Sequence, residues 1–268
     1  MSDPFVEKEN LCLEIDHWRR IHPRLIAGFT TRRGGVSHAP FDTLNLGLHV
    51  HDQKQHVLNN RNLLAKKLNI PQSNWVCAEQ VHGTNIRLIK QSDQGRGAYY
   101  FADSIPQTDG LITDESGILC TAFFADCVPI YFFDPVTSFI GIAHAGWRGS
   151  VNNIAGEMVE TLISLGVQAK DLHVCIGPCI SKTYYEIDQR IIDHIDKKYR
   201  KNTVTIKDNE HYLLDLKQLN IEMLLQSGIL RHNISVTAYC TYANDDLFFS
   251  HRRDQGETGR MLGYIGYK

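Results

Sequence analysis

No apolar run in this 268-residue sequence approaches the roughly 20 residues that a helix needs to span a bilayer, so a helical membrane protein is not expected. Charge of one sign is also scarce. A formal net charge of −2 gives neither a polyanion nor an anionic lipid surface anything to attract, which removes nucleic acid and membranes as expected partners. Met1 to Asn10 carries three acids and no apolar segment, so no secretory signal is read there. The seven cysteines are odd in number, scattered and mostly set in apolar runs, which argues against a disulfide framework. Repeats, low-complexity tracts and Pro/Ser-rich linkers are missing, and a single cytoplasmic domain over residues 1–268 is expected. Two chemical signatures are missing as well. The H-x-E with P-C-x-x-C pattern of zinc nucleoside deaminases is absent. Cys175-Ile-Gly-Pro-Cys179 has neither redox nor zinc-knuckle spacing and reads as a structured turn.

What is present is an ordinary globular composition, 43% hydrophobic and 22% charged, in which strands and helices interleave. Leu25–Thr30 reads as a strand entering the Arg32-Arg33-Gly34-Gly35 turn. A helix follows over 53–69, with Asp52 as cap, Pro71 as stop and Val57, Leu64 and Leu68 on its apolar stripe. Short apolar runs at 75–78, 86–89, 110–112, 118–124, 130–133 and 139–143 read as strands. Several lack alternation and are expected to be covered on both faces. The pattern predicts a helix capped by Ser150 and ending at Gly166, a strand at 172–176, a helix over 187–199 and a helix from the Asp215 cap to Gln226. Strands at 234–239 and 247–250 complete the reading.

Three turns at the ends of apolar runs carry the chemistry: Glu79-Gln80-Val81-His82-Gly83, Ala125-Asp126-Cys127-Val128-Pro129 and Ala143-His144-Ala145-Gly146-Trp147-Arg148-Gly149. In an α/β fold such strand ends converge on one edge. Two imidazoles and a thiol suit a three-ligand zinc site with an open position. The same Cys127 and His144 also suit a nucleophile–base pair, and the residues alone leave both readings open. Asp126 stands ready either to orient a ligand or accept a proton, or to cap a backbone amide. The glycine-rich turn running into the helix after Ser150 offers an anion site with Arg148, or else only the steric freedom of a tight turn. Arg32 and Arg33 beside Gly34-Gly35, and the Ser250-His251-Arg252-Arg253-Asp254 run, are further basic clusters of the type that grips phosphate or pairs with surface acids.

Together the motifs resemble the laccase-domain, YfiH-like family, whose members are also described as purine nucleoside phosphorylases or polyphenol oxidases. The matching text includes Phe29-Thr-Thr-Arg-Arg-Gly-Gly-Val-Ser37, Leu44-Asn-Leu-Gly-Leu48, Asn60-Arg61, Gln80-Val-His-Gly83, Asp109-Gly110, Ala125-Asp-Cys-Val-Pro129, His144-Ala-Gly-Trp-Arg-Gly149 and Phe248-Phe-Ser-His-Arg-Arg-Asp254, in the family's order. The resemblance implies an α/β fold of the α+β type, a single-domain layered α/β/β/α sandwich with mixed sheets. It implies zinc held by His82, Cys127 and His144, and purine nucleosides and phosphate as partners of a monomer. The implied reactions are phosphorolysis of adenosine, inosine, guanosine or methylthioadenosine and deamination of adenosine. Under that reading Arg61 and Arg148, ahead of Arg33, hold phosphate, and Asn45 holds ribose or base. One departure is Phe124, where the family usually has Thr, which bears on substrate preference if that position touches substrate.

Three alternatives remain: a cysteine hydrolase using Cys127 and His144, a copper-dependent polyphenol oxidase, and an editing factor for cell-wall precursors. The copper alternative lacks the repeated His-x-His set that a multi-copper array needs.

Overall fold

The computed structural model describes residues 3–8, 10–208 and 211–268, so Met1, Ser2 and Glu9 of the acidic N-terminal stretch lie outside the described residues. In chain order these form β1 (Phe5–Lys8), β2 (Cys12–Ile15), α1 (Asp16–Ile21), β3 (Leu25–Thr30), α2 (Lys54–Leu68), β4 (Trp75–Cys77), β5 (Ile86–Leu88), β6 (Gly110–Thr113), β7 (Leu119–Phe124), β8 (Val128–Phe133) and β9 (Ile140–Ala145). There follow α3 (Trp147–Val151), α4 (Ile154–Ser164), β10 (His173–Ile176), β11 (Glu186–Asp188), α5 (Gln189–His194), α6 (Lys197–Thr203), β12 (Val204–Ile206), β13 (His211–Leu214), α7 (Leu216–Gln226), β14 (Ile234–Val236) and β15 (Met261–Tyr267). One six-stranded sheet has the order β1-β2-β3-β15-β7-β4, a second has β14-β10-β8-β9-β6-β5, and β11-β13-β12 make a small third. The first two are mixed, with parallel pairs β4–β7, β5–β6 and β10–β14 among antiparallel ones. Among the described residues no helix is long and apolar enough to cross a membrane.

Strand periodicity sorts the apolar side chains into layers. In β7, Cys120, Ala122 and Phe124 face the second sheet, while Leu119 and Phe123 turn outward to the α2 residues Leu64, Ala65 and Leu68. In β8, Tyr131 and Phe133 enter the inter-sheet core, while Val128, Ile130 and Phe132 pack under α4 and α7. The layers therefore run helix, sheet, sheet, helix, as the family resemblance implies. The unalternating runs are indeed buried on both faces, with every residue of β7, β8 and β9 buried.

Local chemistry alters several expected elements. Gln53, not Asp52, holds the cap position of α2; the Asp52 carboxylate is taken up by Ser37 Oγ at 2.6 Å and Asn45 Nδ2 at 2.9 Å. The helix expected from Ser150 is two helices. Ser150 lies inside α3, and Asn153, in the left-handed region at φ 65°, restarts the chain as α4 by accepting from Gly156 N. The helix expected over 187–199 starts only after β11 and is broken once, because Asp188 and Asp196 cap α5 and α6 separately. Residues 247–250 are irregular backbone rather than a strand, with Phe248 buried against Phe29 at 5.8 Å between ring centroids. β15, unread in the sequence, runs between β3 and β7.

The glycines inside β15 explain why that strand escapes a periodicity test. A Cβ on Gly263 would lie 2.8 Å from Tyr131 Oη, 2.9 Å from Ile142 Cδ1 and 2.9 Å from Phe124 Cε2. The bare backbone is what lets the two sheets close over this point. Gly263→Ala is therefore expected to lower stability by about 1–3 kcal/mol through overpacking, read as a shifted midpoint in urea unfolding. An unchanged midpoint would mean that the inter-sheet core yields.

Candidate metal centre

His82, Cys127 and His144 meet where the chain passes between the two large sheets. Cys127 sits on the crossing from β7 to β8, His82 on the crossing from β4 to β5, and His144 near the end of β9. Their ligand atoms all lie within 4.8 Å of one another, with Cys127 Sγ 3.9 Å from His82 Nε2. The backbone is bent to achieve this. Asp126 and His82 both take positive φ, 85° and 59°, a conformation that turns the next side chain out of strand register. Gly146 completes the cradle, since a Cβ there would come within 2.6 Å of His82 Cδ2 and 3.1 Å of Cys127 Sγ.

Asp109 orders the two imidazoles. Its buried carboxylate accepts from the backbone N–H of Val81 at 3.1 Å, His82 at 3.1 Å and Gly83 at 2.8 Å, which fixes the loop carrying His82. The same carboxylate lies 2.8 Å from His144 Nδ1. That contact holds a proton on Nδ1, so that once the ring gives up its other proton the Nε2 lone pair faces the cluster, the arrangement a metal-binding histidine requires. Desolvation alone would raise the Asp109 carboxyl, but the His144 and backbone donors outweigh it and hold it below its ordinary value.

Cys127 and His144 perturb each other. Desolvation pushes the Cys127 thiol up, yet the His144 imidazole, and His82 after it, pull it down to about 6. Desolvation likewise lowers His144, but the Cys127 thiolate and Asp109 raise it to about 9. The metal-free pair is thus a thiolate beside an imidazolium. A thiolate and two histidine nitrogens in a converging, partly enclosed set fit a borderline-soft ion such as zinc, and they fit copper in donor type as well. Among the described residues this is the one group of three potential ligands that is close enough to hold an ion.

The centre lies in a cavity of about 590 Å³ whose wall includes Arg148, Arg252, Arg260, Tyr185, His49 and Phe101. Of the residues expected at the site, Arg148 is there, its guanidinium 4.9 Å over the Trp147 ring. Asp126 also reaches the wall, but its carboxylate accepts from Thr241 Oγ1, Ser250 Oγ and Arg252 N, so it pins three segments together rather than standing free. Arg61, Asn45 and Arg33 do not line the cavity. Arg61 is buried, and its guanidinium is spent on the carbonyls of Leu46, Gly97 and Ala98. Asn45 is buried between Asp52, Gly47 and Arg260 N. Arg33 pairs with Asp246 and Glu7 at the surface. Phe124 faces the inter-sheet core, 5.5 Å from the His144 ring and outside the cavity wall, so its departure from the family's Thr is a packing change.

In the sequence Arg252 is legible only as part of a basic cluster, and Asp109, Arg260, Tyr185, His49 and Phe101 carry no legible role. Asp109-Gly110, at a strand start, is a local signal for the first of these. Desolvation, with Arg260 and Arg61 nearby, holds His49 below its ordinary value. Desolvation raises the Tyr185 phenol, which keeps its proton.

The family model described as multi-copper polyphenol oxidoreductase laccase matches residues 26–268. Purine nucleoside phosphorylase YlmD of Geobacillus stearothermophilus is 45% identical over 245 residues, covering 90% of this chain and 89% of that protein. Purine nucleoside phosphorylase YlmD of Bacillus subtilis is 41% identical over 273 residues, covering 99% and 98%. The crystal structure of the hypothetical protein YfiH of Bacillus licheniformis superposes with a TM-score of 0.96 at 40% identity, covering 100% of both chains.

Metal binding at this cluster has a proton signature. Between the two values of about 6 and about 9, Cys127 is already ionised and His144 still carries the proton that a ligating imidazole must give up. Zinc titrated calorimetrically at about pH 8, in buffers of differing ionisation enthalpy, is expected to release about one proton per ion from His144, with apparent affinity rising about tenfold per pH unit as pH increases toward 9. Zero release would show that His144 is neutral in the free protein.

Proposed function

This chain belongs to the laccase-domain family, and from that premise we propose that it is a zinc-dependent purine nucleoside phosphorylase. The observation that carries the reading is the convergence of His82, Cys127 and His144 with three arginines in one cavity. Its volume lies within the range of small-molecule sites and suits a nucleoside with phosphate. In the reaction a phosphate oxygen forms a bond to ribose C1′ while the C1′–N9 bond breaks. The electron pair leaves with the purine, which takes up a proton. Arg148, Arg252 and Arg260 hold the phosphate and balance its charge. Arg252 and Arg260 are already braced, the former on the carbonyl of Glu186 at 3.0 Å and the latter on that of Thr258 at 2.8 Å. Tyr185 keeps its proton and is available to donate toward the leaving base. Zinc on His82, Cys127 and His144 supplies Lewis acidity at the cavity wall. Adenosine, inosine, guanosine and methylthioadenosine are the proposed substrates of a monomeric cytoplasmic enzyme, with adenosine deamination to inosine and ammonia as a second activity.

One alternative has a specific observation behind it. The thiolate–imidazolium pair of Cys127 and His144 is also the resting state of a cysteine nucleophile. Zinc separates the two readings, because a liganded thiolate alkylates slowly. The copper oxidase reading has the family description on its side and donors that accept copper. Against it, a four-electron oxidase needs an array of coppers, and among the described residues one three-ligand group is found.

Metal-quantified protein given inosine with and without phosphate is expected to yield hypoxanthine and ribose 1-phosphate only with phosphate. His82→Ala should abolish turnover, while Arg148→Ala should raise the KM for phosphate by about tenfold with a smaller effect on that for inosine. Full turnover by a zinc-free His82→Ala protein, or products formed equally without phosphate, would overturn the proposal.

A further inference from the structure

Phe101 is an apolar ring left 39% exposed in the wall of a cavity, where burial would be worth more than exposure. It follows two other exposed aromatic residues, Tyr99 and Tyr100, of which Tyr100 already serves as a cushion for the Lys54 ammonium at 3.7 Å. The Phe101 ring instead faces His49, with centroids 5.7 Å apart, and His49 in turn meets Phe123 at 5.6 Å. All three line the same cavity as the metal ligands.

The two loops that carry this pair are held by one buried cation. Arg61 Nε donates to Leu46 O at 2.9 Å, just ahead of His49, and Nη1 donates to Gly97 O at 2.8 Å and Ala98 O at 2.7 Å, just ahead of Phe101. Gln72 Nε2 adds a second bond to Ala98 O at 2.5 Å, and Arg96 fastens the far side of the turn through Ser104 O at 3.2 Å. On the His49 loop, Asn45 Oδ1 accepts from Gly47 N and from Arg260 N, which ties that loop to a cavity arginine just ahead of β15. A guanidinium fully buried among carbonyls is costly, and it is repaid here in rigidity of two ring-bearing loops.

We infer that His49 and Phe101, with Phe123 beside them, form the subsite that receives the flat heteroaromatic base of a nucleoside. The assignment rests on the phosphorolysis reading for the identity of the whole substrate. Stacking against aromatic side chains accepts any purine face, so this subsite sets affinity for the base without ranking the purines. It also gives base and phosphate different groups, rings for the one and guanidinium groups for the other, all lining the one cavity.

The test uses the zinc-loaded full chain, Phe101→Ala and Phe101→Trp, with hypoxanthine binding measured by calorimetry and KM values measured for inosine and phosphate. Phe101 is exposed, so both variants should keep the fold and the bound zinc, which circular dichroism and metal analysis check. Phe101→Ala is expected to weaken hypoxanthine binding and raise the inosine KM by roughly tenfold, leave the phosphate KM unchanged, and be rescued by Phe101→Trp. Wild-type affinity for hypoxanthine in Phe101→Ala, or no hypoxanthine binding by the unsubstituted protein, would overturn the subsite. Binding that depends on Phe101 without any phosphorolysis would support the subsite while removing the phosphorylase reading.

Discussion

The carboxylate of Asp109 is the contact on which the centre depends. It has no surface exposure, and an isolated buried carboxylate would cost several kcal/mol. That cost is offset by donors from two directions: three successive backbone N–H groups of the 81–83 turn and the imidazole of His144. The main chain reinforces the link, because His144 N also donates to Asp109 O at 2.8 Å. One side chain therefore fixes where the His82 loop lies and which nitrogen of His144 is free. Cys127 is brought to the same point by a different device, the positive φ of Asp126 on the crossing between sheets.

The same economy recurs around the cavity. Asp126 and Arg61 have the side chains expected of reacting groups, yet each is saturated by the fold. Asp126 accepts from Thr241, Ser250 and Arg252, while Arg61 donates to backbone on two loops. Buried and fully hydrogen-bonded, they specify geometry. The groups on the cavity wall are less protected: Arg148 with its face on Trp147, Arg252 over Tyr185, and the His49–Phe101 pair. The cavity is thus a rigid frame of satisfied charges carrying a few side chains with capacity to spare.

This division explains what the sequence made legible. His82, Cys127 and His144 were readable because each stands beside a turn residue at the end of an apolar run, and strand ends converge. The layered fold was readable through the family motifs, and the doubly buried strands through their lack of alternation. Arg61 and Asn45 were assigned to substrate because residue type reports chemistry and not exposure. Only the packing shows the Arg61 guanidinium enclosed by carbonyls. Asp109 was visible as a motif, but its partners lie 26–35 residues away in sequence and meet it only after β6 pairs with β9. β15 was hidden by glycines that exist for inter-sheet contact, and the break in the 187–199 segment by two aspartates whose capping outcompeted helical periodicity.

Zinc affinity of Asp109→Asn, set beside its thermal unfolding, tests the central claim most directly. An amide cannot accept on both sides. Either His144 moves its proton to the ligating nitrogen, or an N–H of the 81–83 turn faces another N–H. The account predicts a folded protein whose zinc affinity falls by about 10- to 100-fold. A folded Asp109→Asn protein that binds zinc as tightly as the unsubstituted chain would contradict it.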